Sequence, residues 1–377
     1  MTDGQLAVIG LGSIGSMALW RASRSSASVV GFEAASPAHP RSAVGGDTRL
    51  FRMTYRGEGN YYPVLQVAQN LWRELEQESG QSVLTQCGGL SIGETDGSYI
   101  PALLESIKRT GAPHEVLDRD EMERRYPQHR LGAGECGIFD PEAGFLRTDR
   151  AVLSAVEAAR SHGATVRSGT PVREIRESPT GVQIVTDTET SEFERVIVAS
   201  GGWSRALLPP SLQSHVQPKR IYLTWFPARH PEEFSPERFP IYIRITGERS
   251  LYGAPTIDGA SVKATLDGRG QPTADADGVD RALSAAEIAE SEETVAEFLP
   301  GLIPSIVRSD AYPDLYTSDS TPLVGFVPGS QRTYLATGFS GAGFKMASAF
   351  GAIAASEALG RPSGVEGLDF VRPGRFV

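Results

Sequence analysis

The fold of this chain is decided near its start, where residues 6–15 read Leu-Ala-Val-Ile-Gly-Leu-Gly-Ser-Ile-Gly. Four apolar residues of strand length run directly into a G-x-G-x-x-G motif, and a helical pattern over residues 14–24 follows. A second apolar segment, residues 28–32, ends at Glu33, eighteen positions past the third glycine. This order predicts a compact βαβ unit of the Rossmann type.

The glycine motif also predicts a dinucleotide site, because each glycine has a separate physical role. Gly10 allows a tight turn, Gly12 lets the backbone approach a pyrophosphate, and Gly15 lets helix and strand pack closely. The helix N-terminus favours phosphate charge, and Glu33 is placed to accept hydrogen bonds from a ribose. FAD and NAD use the same device, and a glycine-rich turn without a ligand is the plain alternative. The predicted contacts are Gly10, Gly12, Ser13, Ile14, Gly15 and Glu33.

Composition limits the class of protein. The 377 residues carry 36 basic and 46 acidic side chains, and the net charge of −10 argues against a nucleic-acid partner. No stretch approaches the roughly 20 apolar residues of a membrane span. The two cysteines, Cys87 and Cys136, lie far apart without metal-ligand spacing, which favours buried thiols in a reducing compartment. We therefore expect a cytoplasmic enzyme without a metal, a nucleic-acid partner or a membrane partner.

The element pattern predicts an α/β protein with a discontinuous layout. Residues 221–252 are rich in aromatic and β-branched residues, as in an antiparallel sheet. Residues 285–298 read as a helix, and Ser284 and Glu287 have the spacing of a capping box. The predicted division assigns residues 1–86, 145–216 and 310–377 to a Rossmann-type domain, and residues 87–144 and 217–309 to a second, substrate domain.

Several distant segments carry a more specific signal. They are residues 45–52 (GGDTRLFR), 196–203 (VIVASGGW), 251–255 (LYGAP) with Lys263 after it, 315–319 (LYTSD) and 338–345 (GFSGAGFK). With them, the whole chain resembles the monomeric sarcosine oxidase and N-methyltryptophan oxidase family of FAD-dependent amine oxidases. The broader group contains glycine oxidase and the fructosyl-amino-acid oxidases. The resemblance implies an FAD-binding Rossmann-type domain and a substrate domain with a mixed, largely antiparallel β-sheet.

The resemblance also implies roles for individual residues around the flavin ring. Thr48 and Arg49 would lie near the ring, and Lys263 beside it would promote the reaction with O₂, because a positioned cation stabilises developing negative charge. Arginines in a polar loop and a lysine on a strand are often only solvated, which is the alternative for these residues. Arg49, Lys263 and Asp267 are the predicted catalytic residues.

Substrate contacts and the remaining cofactor contacts follow from the same segments. Arg52 and Lys345 would bind the substrate carboxylate, and Tyr252 and Tyr316 would line the substrate cavity. The glycine-rich turn before Lys345 would bring backbone N–H groups to the pyrimidine edge of the flavin at a helix N-terminus. The predicted flavin contacts, besides those already named, are Val172, Gly201, Trp203, Gly341, Gly343, Phe344 and Lys345.

The sequence departs from the family pattern at three positions. Close family members attach FAD through a cysteine where this chain has Asp314, so we expect non-covalent FAD. Gly45 replaces a histidine of the flavin-side loop, and Asp267, four residues after Lys263, replaces another in the cavity. Fructosyl-amino-acid oxidases have an acidic residue there that contacts the substrate, whereas a surface Asp-Gly turn is the structural alternative for Asp267.

The implied activity is oxidation of a C–N bond in a secondary amine or amino acid. A hydride passes from the carbon to flavin N5, the imine is hydrolysed, and O₂ is reduced to H₂O₂. A fructosyl-amino-acid oxidase and an amine dehydrogenase with another electron acceptor are the nearest alternatives. An NAD(P)-dependent dehydrogenase and a flavin-binding protein without catalysis are more distant ones. We expect a small amino-acid-like substrate and a monomer; the exact substrate stays open.

Overall fold

The structure is a computed structural model that describes residues 3–25, 27–57 and 60–377. Its strands, in chain order, are β1 (Gly4–Ile9), β2 (Val29–Phe32), β3 (Thr48–Phe51), β4 (Leu84–Thr85), β5 (Gly89–Glu94), β6 (Glu115–Leu117), β7 (Glu135–Asp140), β8 (Gly144–Arg147), β9 (Thr165–Arg167), β10 (Val172–Glu177), β11 (Val182–Thr186), β12 (Thr190–Val198), β13 (Val216–Pro227), β14 (Ile241–Thr246), β15 (Arg249–Ala254), β16 (Ser261–Leu266), β17 (Gln271–Pro272), β18 (Arg308–Thr317), β19 (Leu323–Phe326) and β20 (Thr333–Thr337). Its α-helices are α1 (Ser13–Ser23), α2 (Tyr62–Ser79), α3 (Tyr99–Thr110), α4 (Arg119–Arg125), α5 (Thr148–Ser161), α6 (Pro210–Gln213), α7 (Ala285–Phe298) and α8 (Ala347–Ala358).

The first sheet is built around the predicted βαβ unit. Five parallel strands lie in the order β20-β12-β1-β2-β9, and β10, β11 and β19 extend it by antiparallel pairing. Helices α1, α5 and α8 pack together in one apolar core that includes Trp20, Trp72 and Phe350. The parallel order and the helical cover confirm the predicted Rossmann-type fold.

The second sheet has the order β17-β13-β16-β15-β14-β5-β7-β6, with β18 paired along β13. Every pair is antiparallel except the parallel pair of β14 and β5. This confirms the prediction of a mixed, largely antiparallel sheet. A small third sheet has the order β3-β8-β4. Arg49 lies in β3, and Arg52 follows directly after this strand.

Strand β18 connects the two large sheets. It pairs with β13 over its whole length, and the chain then returns to β19 and β20 of the first sheet. Asp314 and Tyr316 therefore start from the second sheet and reach the glycine-rich turn that follows β20. The division into domains proposed from the sequence stays a prediction. Its last boundary, between residues 309 and 310, falls within β18.

The structure agrees with the sequence prediction at the start of one helix and differs from it at the start of another. The capping box of α7 is present, because the Ser284 and Glu287 side chains bond reciprocally to each other's backbone N–H groups, as predicted. The glycine-rich turn before Lys345 is predicted to lie at a helix N-terminus, but residues 344–346 form a single 3₁₀ turn and α8 begins at Ala347. Cys87 and Cys136 are free thiols. No helix in the described part of the chain has the length and apolar character to cross a bilayer.

Candidate active site

A large cavity lies between the two sheets. Its volume is about 1220 Å³, above the roughly 300–1,000 Å³ typical of a pocket for one small molecule. One end is formed by the turn after β1 and by Glu33, and the other end by aromatic side chains of the second sheet. The predicted site residues that line it are Gly10, Gly12, Ser13, Ile14, Glu33, Arg49, Arg52, Val172, Gly201, Trp203, Tyr252, Asp267, Tyr316, Gly341, Gly343, Phe344 and Lys345.

The turn between β1 and α1 has the geometry expected of a phosphate site. Gly10 has φ 84°, and a Cβ atom added there would lie 2.6 Å from the Cα of Ser200. A Cβ at Gly15 would lie 1.8 Å from the Gly10 carbonyl oxygen, so this glycine, which does not line the cavity, serves packing. Among the described residues, a Cβ at Gly12 would meet only Val44, at 3.8 Å, which leaves open space on the cavity side.

The start of α1 leaves its N–H groups available to an anion. No side chain caps the helix at Gly12, and its first turn contains no acidic residue. The helix N-terminus therefore presents partial positive charge to the cavity, as pyrophosphate binding requires. The open space at Gly12 and this uncapped terminus fit the phosphates of a dinucleotide such as FAD.

Glu33 lies beside this turn and organises it. Its carboxylate accepts hydrogen bonds from the N–H groups of Leu11 and Ala35, both at 2.9 Å, and it is 6% exposed. His39 lies 3.7 Å from the same carboxylate. Burial lowers the pKa of His39, and the negative charge of Glu33 opposes that shift. Because a carboxylate has about four acceptor positions, Glu33 retains capacity for ribose hydroxyls.

Arg49 lines the cavity and holds the loop that precedes β3. Its guanidinium donates hydrogen bonds to the carbonyl oxygens of Ala43, Gly45 and Thr48, each at 2.8 Å. Thr48 is buried behind this loop and does not line the cavity. Arg49, on β3, therefore holds this loop through three hydrogen bonds and presents its charge to the cavity.

Lys263 lies directly behind the same loop. Its Nζ donates to the carbonyl oxygens of Gly46 (2.6 Å) and Thr48 (2.7 Å), and the residue is 3% exposed, so it is not a surface lysine. Burial, with the nearby charge of Arg49, lowers the pKa of Lys263 well below its usual value, while Asp47 opposes the shift. Lys263 does not line the cavity, from which Gly46 and Thr48 separate it.

Two cations meet at the other end of the cavity. The Arg52 guanidinium carbon lies 5.3 Å, and the Lys345 Nζ 5.1 Å, from the centre of the Tyr55 ring. Arg52 donates to the Tyr99 hydroxyl at 3.4 Å, and its buried Nε has no acceptor among the described residues. Lys345 donates to the carbonyl oxygen of Ala342 at 3.0 Å. Neither cation forms a salt bridge within residues 3–25, 27–57 and 60–377.

The charge of Lys345 is sensitive to its surroundings. Burial, together with the positive charge of Arg52, lowers the pKa of Lys345 to about 7, and the negative charge of Asp267 opposes the shift. An anionic ligand between the two cations would raise this pKa and favour the charged ammonium. The arrangement is thus suited to a carboxylate.

Asp267 lies in an exposed turn that also borders the cavity. Its carboxylate accepts the N–H of Gly268 at 2.9 Å in an exposed Asp-Gly turn, yet the residue also lines the cavity. Tyr252 and Tyr316 line the same region, where burial raises the pKa of each hydroxyl above its usual value and Asp267 adds to the shift. The structure therefore brings Asp267, both tyrosines and Lys345 to one end of the cavity.

Asp314, on which the expectation of non-covalent FAD rests, is hydrogen-bonded to the glycine-rich turn. Its carboxylate accepts hydrogen bonds from the N–H groups of Leu315 and Gly341, both at 2.8 Å. Burial raises the pKa of Asp314 above its usual value, and these two hydrogen bonds oppose the shift. The N–H of Gly341 is thus already bonded within the protein, while Gly343 and Phe344 line the cavity beside it.

Comparison with known proteins shows the family of this chain. The family model described as "FAD dependent oxidoreductase" matches residues 5–357. The chain belongs to the FAD-dependent oxidoreductase family. N-methyl-L-tryptophan oxidase of Escherichia coli is 31% identical over 368 residues, which cover 95% of each chain. The predicted family of FAD-dependent amine oxidases is thereby confirmed, as is an oxidoreductase acting on CH–NH bonds.

Solved structures support the fold over nearly the whole length. NikD, described as an unusual amino acid oxidase essential for nikkomycin biosynthesis, has a TM-score of 0.86 at 18% identity, covering 99% of this chain and 98% of that one. L-proline dehydrogenase of P. horikoshii has a TM-score of 0.84 at 20% identity, covering 100% and 98%. At these identities the similarity establishes the shared fold alone.

Several cavity residues were not found from the sequence. Tyr55 follows Arg52 by three positions, and this short spacing is a signal in the sequence, because aromatic rings commonly contact cations. Tyr99 lies on α3, nearly fifty residues further along the chain, and only the tertiary fold brings its hydroxyl to Arg52. The same holds for Ile243, Ile245 and Leu266, which extend the apolar wall from the second sheet.

Proposed function

We propose that this protein is an oxidase of a secondary amino acid that binds FAD non-covalently and uses O₂ as the electron acceptor, forming H₂O₂. The observation that carries the proposal is the pair of cations, Arg52 and Lys345, at the end of a cavity whose other end has the dinucleotide turn. Bound FAD would supply the hydride acceptor. The protein would hold the substrate over it and control the charge of the amine.

The carboxylate of the substrate would bind between Arg52 and Lys345. The buried Nε of Arg52 lacks an acceptor, and an unpaired buried donor is costly unless a ligand satisfies it. Two positive charges also lower the pKa of a nearby amine, so they favour the neutral form whose lone pair the oxidation needs. Fixing the carboxylate therefore orients the reacting carbon and prepares the amine at once.

The rest of the substrate would lie against an apolar and aromatic wall. Tyr252, Tyr316, Ile243, Ile245 and Leu266 line the cavity there. This wall suits an N-methyl amino acid with a large side chain, in keeping with the similarity to N-methyl-L-tryptophan oxidase.

Fructosyl amino acids are the second candidate class of substrate. Asp267, on the same part of the cavity, supports them because its carboxylate is able to accept hydrogen bonds from a polyhydroxylated chain.

Non-covalent FAD is supported by the side chains around the ring end. Asp314 offers a carboxylate bonded to two backbone N–H groups, and neither Cys87 nor Cys136 lines the cavity. Burial also raises the pKa of the Cys87 thiol to about 11, which suppresses the nucleophilic thiolate. Acid precipitation should release yellow flavin to the supernatant; flavin retained in the protein pellet would contradict the proposal.

Lys263 supports the choice of O₂ over another electron acceptor. It is buried behind the loop of Thr48 and Arg49, where two carbonyl oxygens accept from its Nζ, and its ammonium form there would favour electron transfer to O₂. We further infer a monomer in the cytoplasm, consistent with two unpaired cysteines.

An H₂O₂-coupled assay with matched substrates tests the carboxylate site. We expect turnover of N-methyl amino acids and little turnover of their methyl esters, because the ester removes the charge that Arg52 and Lys345 bind. Arg52→Met should lower kcat/KM by at least about 30-fold, the equivalent of about 2 kcal/mol for removing one partner of a buried charge pair. Arg109→Met, on the exposed face of α3, is the control. Equal turnover of acid and ester would contradict the assignment.

A further inference from the structure

One segment of the second sheet crosses the whole cavity. Residues 267–281 follow β16, include the short strand β17, and lead toward α7. Asp267, near their start, lies at the substrate end with Tyr252 and Tyr316. Ala276, Asp277 and Arg281 line the cavity near the dinucleotide end. We call residues 267–281 the strap.

The first half of the strap is held by backbone hydrogen bonds. The N–H of Asp267 bonds to the carbonyl oxygen of Ser250 at 2.8 Å, and β17 pairs with Lys219 and Arg220 of β13. The N–H of Thr273 bonds to the carbonyl oxygen of Pro218 at 3.0 Å. This half is therefore an extension of the second sheet.

The second half is held by side chains on both sides: Arg220 of β13 donates to the carbonyl oxygen of Asp280 at 2.6 Å, and other contacts reach the loops beside the first sheet. The Trp203 indole N–H donates to the Asp277 carboxylate at 2.8 Å, and Ala276 packs on Gly202. Arg281 donates to the carbonyl oxygen of Pro40 at 3.1 Å and forms an ion pair with Asp310. In the described part of the chain, no backbone–backbone hydrogen bond joins residues 274–281 to another segment.

We propose that the strap closes over the dinucleotide half of the bound cofactor and that residues 274–281 must detach before FAD enters or leaves. The inference rests on the proposed non-covalent binding of FAD, because a tethered cofactor needs no such retention. The contacts of Asp277 with Trp203 and of Arg281 with Pro40 act as the latch. Such exposed side-chain contacts break locally far more readily than a β ladder, so residues 274–281 leave the loops of Trp203 and Pro40 without unfolding of either sheet.

Two of the strap residues are therefore cofactor-retaining residues, although neither lies in the glycine motif. Asp277 and Arg281 would set the rate at which FAD leaves, whereas the turn at Gly12 would set how well the phosphates are bound. An experiment distinguishes the latch from the phosphate site, because loss of the latch speeds FAD release and FAD uptake together.

The first test removes one latch contact. After acid precipitation has confirmed that the flavin is free, FAD release is followed by flavin fluorescence after dilution of the holoprotein. Asp277→Ala should release FAD about fivefold faster, the equivalent of about 1 kcal/mol for one hydrogen bond. Asp277→Asn should release it near the wild-type rate, because its amide oxygen still accepts from Trp203. Glu123→Ala, which removes an exposed carboxylate of α4, is the matched control.

The second test locks the strap. A Cβ added at Gly202 would lie 3.2 Å from the Ala276 Cβ, close to the roughly 3.5–4.5 Å of a disulfide. It would also lie 3.0 Å from the Pro313 Cβ, which has to shift slightly. The oxidised Gly202→Cys/Ala276→Cys protein should release and take up FAD at least about tenfold more slowly than its reduced form, and dithiothreitol should restore both rates. Gly202→Cys alone is the control for the added side chain.

Three results would overturn the proposal, each in a distinct way. Flavin in the acid pellet would refute non-covalent binding, and with it the need for a strap. Free flavin with an unchanged release rate in Asp277→Ala would refute the latch alone. Equal FAD release from the oxidised and reduced double-cysteine protein, with the disulfide verified by mass, would show that FAD leaves by another route.

Discussion

At the scale of single residues, the charge of Lys345 is the most informative quantity. Burial and the neighbouring Arg52 hold its pKa at about 7, so the free protein loses this charge as pH rises through neutrality. The folded pKa lies below the usual lysine value, which means that the ammonium is fully formed only on the acid side of about 7. Carboxylate binding should follow the same protonation.

We predict that a carboxylate without an amine, such as 3-phenylpropionate, binds less tightly as pH rises from 6 to 9. In Lys345→Met, binding should be weaker at low pH and nearly independent of pH, because the titrating cation is gone. Lys108→Met, an exposed change on α3, should keep the wild-type dependence. Inhibition constants measured across this range give the answer, and an unaltered slope in Lys345→Met would assign the titration to another group.

Lys263 carries the second residue-scale prediction. Lys263→Met should slow reoxidation of the reduced protein by O₂ about tenfold or more, in the range found when a positioned charge or donor is removed. Anaerobic reduction by substrate should change much less, because Lys263 does not line the cavity. Stopped-flow measurement of the two half-reactions separates them. Equal slowing of both would mean that Lys263 serves mainly to hold the carbonyls of Gly46 and Thr48.

At the scale of elements, the glycines of the β1–α1 turn allow the requirements of the fold to be tested separately from those of cofactor binding. Gly15 and Gly10 are required by packing, whereas Gly12 borders open space. We therefore expect Gly12→Ala to leave the Tm of the FAD-free protein nearly unchanged and to weaken FAD binding at least about tenfold, because the methyl group takes the place of phosphate oxygens.

A matched change supports this interpretation. Gly374→Ala adds the same methyl group where no atom lies within 4 Å, and it should alter neither Tm nor FAD affinity. Fluorescence titration of each FAD-free protein with FAD gives the affinities. Unchanged affinity in Gly12→Ala would place the pyrophosphate away from this turn.

Elements with local signals were predictable from the sequence. The β1–α1–β2 unit and the capping box of α7 follow from short patterns, and the structure has both. The bond from Gly341 to Asp314 was not predictable, because it depends on the register of β18 along β13 and on the path back to β20. The 3₁₀ turn at residues 344–346 is not predictable either, because a helical pattern does not distinguish the first turn of a helix from a 3₁₀ turn.

At the scale of the whole molecule, the site is assembled from both large sheets. The first sheet supplies the dinucleotide turn, and the second sheet supplies the aromatic wall and the strap. The small sheet supplies Arg49, and Arg52 follows directly after its strand β3. Family membership was predictable because the motifs are spread along the whole chain. The pairing of cations around Tyr55 and the path of the strap required the three-dimensional structure, since their parts come from segments far apart in sequence.

The central claim is that a carboxylate-bearing secondary amine reduces non-covalent FAD in this cavity and that O₂ reoxidises it. An anaerobic titration of the purified yellow protein with N-methyl-L-tryptophan and with its methyl ester tests it most directly. We predict that the acid bleaches the visible flavin absorbance and the ester does not, and that air restores the colour with one H₂O₂ formed per amine oxidised. Bleaching by both compounds, or a bleached flavin that persists in air until another acceptor is added, would contradict the account.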